Sequence, residues 1–143
     1  MILFTIGFTQ TSAEDFFSRL IEGGVKTVLD VRLHNTSQLS GFAKKDDLSF
    51  FLHSLGGITY RHCPELAPRE DMLKAYRTDR NWDHYSKNFV KLLQERKIEK
   101  VFRPADIHQA CLLCSESSPH HCHRRLVAEY LKEKWGKINI IHL

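Results

Sequence analysis

Apolar positions along the chain follow two rhythms. Five short apolar runs, Ile2–Ile6, Val25–Val31, Ile58–His62, Ala110–Cys114 and Ile138–His142, read as strands. Between them the apolar residues recur at helical spacing. Phe16, Phe17, Leu20 and Ile21 share one face, and Ser12 with Asp15 three residues on resembles a capping box. Leu48, Phe51, Leu52 and Leu55 form a second stripe, with Asp46 or Asp47 as the expected cap and Gly56-Gly57 as the stop. Met72, Leu73 and Tyr76 mark a shorter helix, Tyr85, Phe89, Leu92 and Leu93 a longer one, and Leu126, Val127, Tyr130 and Leu131 a last. This alternation predicts one α/β domain over residues 1–143, a three-layer fold whose mainly parallel five-stranded sheet is flanked by helices. The stretches 33–45 and 63–83 are the least regular and long enough to be functional loops, with room in 63–83 for extra short helices.

Parallel strands all point their carboxyl ends one way, so the residues that follow each strand become neighbours on one rim, where open α/β sheets bind ligands. Gly7 and Thr9 follow the first strand. The end of the second brings Asp30, Arg32, His34 and Ser37, and the third His62, Cys63 and Glu65. Cys114 and Glu116 follow the fourth, with Cys122, His123 and Arg124 opening the next helix. Each has a plainer reading: Asp30 and Arg32, two apart, can form a structural ion pair, and Cys111, inside its strand, packs in the core.

The segment 111–125, CLLCSESSPHHCHRR, concentrates this chemistry. Its cysteines supply zinc-like ligands, but positions three apart on a strand project to opposite faces, so Cys111 and Cys114 do not grip one ion. A zinc site on Cys114, Cys122 and one or two of His120, His121 and His123 stays open as the alternative to a chain without a cofactor. A phosphatase-type loop needs an arginine six positions after its cysteine. Those positions hold His120 and Ala128, so that motif is absent. What remains is an anion site at the helix start, strengthened by Arg124 or Arg125. There the helix dipole favours a Cys122 thiolate, with Cys114 next and Cys111 last; the plainer alternative is a Cys122 buried beneath the helix, as its neighbours Leu126 and Val127 allow.

Composition narrows the class. At 143 residues, with 42% hydrophobic and 27% charged positions, the chain has the make-up of an ordinary globular domain. No apolar run approaches the roughly 18 residues of a membrane span, and the MILFTIG start reads as a strand rather than a signal peptide. A cytoplasmic protein without membrane partners is the expectation, its cysteines reduced. A net charge of +4 suits an anionic ligand and is too small to indicate nucleic acid.

Several segments together resemble the uncharacterised DUF488 family. They are Thr5-Ile6-Gly7; Val28-Leu29-Asp30-Val31-Arg32 with Ser37 and Phe42; Gly57-Ile58-Thr59-Tyr60-Arg61-His62; Pro64-Glu65-Leu66-Ala67-Pro68; and Leu113-Cys114-Ser115-Glu116 with Cys122-His123-Arg124. The last is the most specific. The resemblance implies a single α/β domain and a shared site of Asp30, Arg32, Cys114, Glu116, Cys122, His123 and Arg124, without an established activity. Such proteins usually carry a histidine after Thr-Ile-Gly. Here it is Phe8, so a role for that histidine does not transfer.

The expected function is a small enzyme or binding domain for an anionic ligand, such as a nucleotide or another phosphorylated compound. In that reading Arg32 and Arg124 hold the anion, Asp30 or Glu116 moves protons, and Cys114 or Cys122 is the nucleophile, with Gly7, Ser37, His62, Glu65 and His123 around the ligand. One alternative is a metal- or redox-responsive thiol module. Another is a nucleic-acid-binding adaptor, which needs Lys44, Lys45, Arg69, Arg77, Arg80 and Arg103 on one face.

Overall fold

A computed structural model describes residues 1–35, 41–116 and 118–143. Five strands form its sheet: β1 (Ile2–Gly7), β2 (Thr27–Asp30), β3 (Thr59–His62), β4 (Ala110–Cys114) and β5 (Asn139–His142). Their order is β3-β2-β4-β1-β5 and every pairing is parallel. The central strands β4 and β1 are buried almost throughout because helices cover both of their faces. The edge strands β3 and β5 are shorter and half exposed.

Two helices, α1 (Ala13–Gly23) and α2 (Lys45–Gly56), cover one face. There Phe16, Phe17, Leu20, Leu48 and Leu52 pack on Phe4, Ile6, Val28, Cys111 and Leu113. The other face carries α3 (Glu70–Asp79), α4 (Trp82–Arg96), two single turns α5 (Ile98–Val101) and α6 (Pro104–Ile107), and α7 (His123–Trp135). Their side chains bury Leu3, Leu29, Val31, Leu112 and Cys114. Cys111 and Cys114 thus face opposite layers, as strand periodicity requires.

Local signals set the helix ends. The Ser12 hydroxyl accepts the Asp15 N–H at 3.1 Å, and Gly57 closes α2 at φ +61°, its N–H donating to His53 O. The expected cap of α2 is corrected: Lys44 holds that position in extended backbone, and Asp46 and Asp47 lie within the first turn, where their charge complements the helix dipole. Ile21 and Leu55, expected on buried faces, are 46% and 55% exposed. They edge an apolar depression with Phe17, Phe42 and Phe51. Within 63–83 the structure has a 3₁₀ turn at Pro64–Leu66, then α3. Among the described residues no helix is long and apolar enough to cross a membrane.

One topological feature positions the site. β2 leads to α2 on one face, while its neighbour β4 leads to α7 on the other. The loops leaving these adjacent strands diverge, and the carboxyl edge opens between them.

A candidate anion and thiol site between β2 and β4

Arg32 stands just past β2 and is 3% exposed. Its Nε and Nη2 donate to the two Asp30 carboxylate oxygens at 2.8 and 2.7 Å, a bidentate pair, and Nη2 also donates to Ala43 O at 2.8 Å. Asp30 further accepts the Arg32 backbone N–H and, at 2.6 Å, the Tyr60 hydroxyl. The Phe8 ring lies 5.1 Å from the guanidinium carbon. Burial works against the cation, but the bonds and charge of Asp30 outweigh it, and the Arg32 pKa ends above its ordinary value. Among the described residues, the buried Nη1 has no hydrogen-bond partner. A buried donor left unpaired costs about 1–3 kcal/mol, so this atom is a place for a ligand or water.

Beside it lies a sulfur and imidazole cluster. Cys114 ends β4 and Cys122 caps α7, so one strand end and one helix start deliver both thiols, with His123 in the first turn. The His123 Nε2 sits 2.7 Å from Val31 O. A carbonyl only accepts, which places the proton on Nε2 and leaves Nδ1 as the free lone pair, 3.6 Å from Cys114 Sγ. Cys114, Cys122 and His123 are all buried, and their ligand atoms lie within 4.8 Å of one another. Hydrogen bonding from Cys122 lowers the Cys114 pKa against its burial, helped by Arg124 and the backbone N–H groups of Ser115 and Glu116. Burial, then the same bond to Cys114, pushes Cys122 well up. Burial also raises Cys111, and raises Cys63 to about 12.

The loop after β4 is stitched to the end of β1. Thr9 N–H and its hydroxyl both donate to Ser115 O. The Arg124 guanidinium, 0% exposed, donates to Glu116 O and to Thr5 Oγ1. A Cβ at Gly7 would fall 1.6 Å from Glu116 O and 3.0 Å from Arg124 Nη1, so only glycine permits this approach.

These groups line a cleft of about 320 Å³, within the range of small-ligand pockets. Arg32, His34, Cys114, Glu116, Cys122 and His123 form one side. The other comes from the α3–α4 junction: Tyr76, Arg77, Arg80, Trp82 and Tyr85. His121 stacks on Trp82 at 4.9 Å, Tyr85 on Phe89 at 6.2 Å, and Phe89 meets the His123 ring edge-on at 5.5 Å. An aromatic column thus runs from the rim to the imidazole. The apolar depression between α1 and α2 offers no comparable polar groups.

Of the residues expected at the site, Arg32, Cys114, Glu116, Cys122 and His123 come together in the cleft. Others are placed elsewhere. Asp30 is fully buried behind Arg32 with both oxygens engaged, so it orients the guanidinium and has no route to a ligand proton. Arg124, expected to share an anion with Arg32, instead clamps the β4 loop to β1. Gly7 provides the space for that clamp. His62 Nε2 is 2.8 Å from Arg32 O, and Glu65 pairs loosely with Arg61 at 3.9 Å, both outside the cleft lining. Ser37 lies outside the described residues. The ranking of thiols is corrected too: burial of Cys122, 2% exposed, overrides the helix dipole, and Cys114 is the sulfur held down in pKa. Trp82 belongs to no motif or helical stripe in the sequence, and Tyr76 and Tyr85 read as core positions. The dense run of aromatic and basic residues from Tyr76 to Tyr85 was the available signal.

Fold and site define a class: a small doubly covered parallel α/β domain with an arginine, two thiols and an imidazole at its topological switch point. The chain matches the family model described as domain of unknown function DUF488 over residues 12–131, and it belongs to that family. Searches of the curated proteins and of the solved structures found no match.

Proposed function

We propose that this cleft binds a small phosphorylated ligand, foremost a nucleotide, and that the protein is a small enzyme or binding domain acting on it. The observation that carries the reading is the buried Arg32 guanidinium, which lines the cleft beside Cys114 and has Nη1 unpartnered among the described residues. With two nitrogens fixed by Asp30, the guanidinium is already oriented, which reduces the entropy lost once an oxyanion displaces the atoms that cover Nη1. Arg77 and Arg80 add positive charge across the cleft, and Trp82 and Tyr76 offer aromatic faces to a base. Glu116 is the carboxylate among the lining residues and the candidate for proton transfer.

A thermal-shift series with inorganic phosphate, sulfate and the four common nucleoside monophosphates at millimolar concentration tests this. Ligand at ten times its Kd adds about 1.4 kcal/mol, a shift of several degrees. We expect a nucleotide to raise Tm in the wild type and to have a much smaller effect on Arg32→Lys. No shift with any of these anions overturns the reading.

A further inference from the structure

We propose that Cys114, Cys122 and His123 form a zinc site whose fourth coordination position faces the cleft. The argument is geometric and independent of the anion reading. Ligands about 2.3 Å (sulfur) and 2.0–2.1 Å (nitrogen) from a tetrahedral ion stand about 3.5 Å apart. Cys114 Sγ and His123 Nδ1 are 3.6 Å apart, and all three ligand atoms lie within 4.8 Å of one another. Both His123 ring nitrogens lie near that sulfur, Nδ1 at 3.6 Å and Nε2 at 3.9 Å, and Nδ1 is the one left to ligate because the Val31 carbonyl engages Nε2. A ligating histidine is ordinarily oriented in this way by a carbonyl or carboxylate behind it.

Two thiolates and a neutral imidazole select zinc over magnesium or calcium, which prefer oxygen. They also cancel the dipositive charge, so the centre is electrically neutral where all three ligands are buried. Loading releases the two thiol protons to solvent, and the Ser115 and Glu116 N–H groups that face Cys114 would donate to its metal-bound sulfur. Among the described residues no fourth cysteine, histidine or carboxylate joins the cluster. A three-ligand set opening onto a cleft is the arrangement of catalytic zinc, with water or a ligand atom completing it.

Metal content of the untagged full chain, purified without chelator, tests the proposal together with cobalt reconstitution. The expected result is about one zinc per chain, and a cobalt form with sulfur-to-cobalt charge transfer from two thiolates and the strong ligand-field bands of a tetrahedral ion. Cys122→Ser and His123→Ala should lose the metal, while Cys111→Ser and Cys63→Ser keep it. If the ligand variants do not fold, the wild-type cobalt spectrum still decides. A wild type that carries no zinc and binds neither ion at micromolar concentration overturns the site. So does an octahedral cobalt spectrum, or equal loss of metal in Cys111→Ser. Arg32→Lys should keep its zinc while losing nucleotide, so the two readings fail separately.

Discussion

At the end of β2 the Arg32 guanidinium is locked to the buried Asp30 carboxylate by a bidentate pair. Asp30 and Arg32 two apart at a strand end allow either an ion pair or a ligand site, and the structure shows the pair, with Arg32 lining the cleft. Removing Arg32 leaves Asp30 buried without its cation, so Arg32→Ala should cost about 3–5 kcal/mol in urea denaturation. Arg32→Lys keeps the charge but cannot grip Asp30 with two nitrogens and still offer a third, so it should cost less and still weaken anion binding about tenfold or more. A lysine variant with wild-type affinity would contradict this. The order of the thiols was half legible: Leu126 and Val127 allow a Cys122 buried beneath its helix, and the helix start allows an activated one, a choice that only the packing of the helix decides. The fate of Arg124 was hidden, since it depends on how closely the β1 and β4 ends approach.

Among the elements, all five strands lie within two residues of their sequence-derived bounds; the central β1 and β4 show as apolar runs because both faces are covered, while the half-exposed edges β3 and β5 are marked by apolar residues mixed with polar ones. The one-turn helices α5 and α6 were missed, since four residues are too few to show a period. The β1 end and the β4 loop behave as one unit, and Gly7→Ala should separate them. The added methyl meets backbone that cannot yield cheaply, so we expect a loss of at least about 1–3 kcal/mol, measured by denaturation. A neutral variant would show that the loop has another low-energy path. The α3–α4 junction makes a different prediction. Trp82→Ala removes the partner of His121 and one aromatic face of the cleft, so nucleotide affinity should fall about tenfold while inorganic phosphate binding is unchanged. Equal losses for both ligands would place Trp82 outside base recognition.

At the scale of the whole molecule, the fold class and the carboxyl edge were legible, and the strands between which the cleft opens were not, because that depends on how the chain crosses the sheet. The long-range tie of β5 to β1 gives a pH prediction. Burial, then Arg124, lowers the pKa of His142, whose Nδ1 lies 2.6 Å from Thr5 Oγ1. The unfolded chain therefore takes up this proton first, and the stability from neutral His142 is complete above about pH 6.5 and falls as the pH drops below it. His142→Asn should be less stable than wild type at pH 7.5, and the gap in Tm should narrow by pH 5.5. A constant or widening gap would contradict the assignment. If Arg32 makes this cleft an anion site, calorimetric titration of nucleoside monophosphates and inorganic phosphate into wild type and Arg32→Lys will show it. The account predicts saturable one-site binding of a nucleotide to the wild type and at least about a tenfold weaker Kd for the variant. Absence of binding to the wild type, or the same Kd for both proteins, would contradict it.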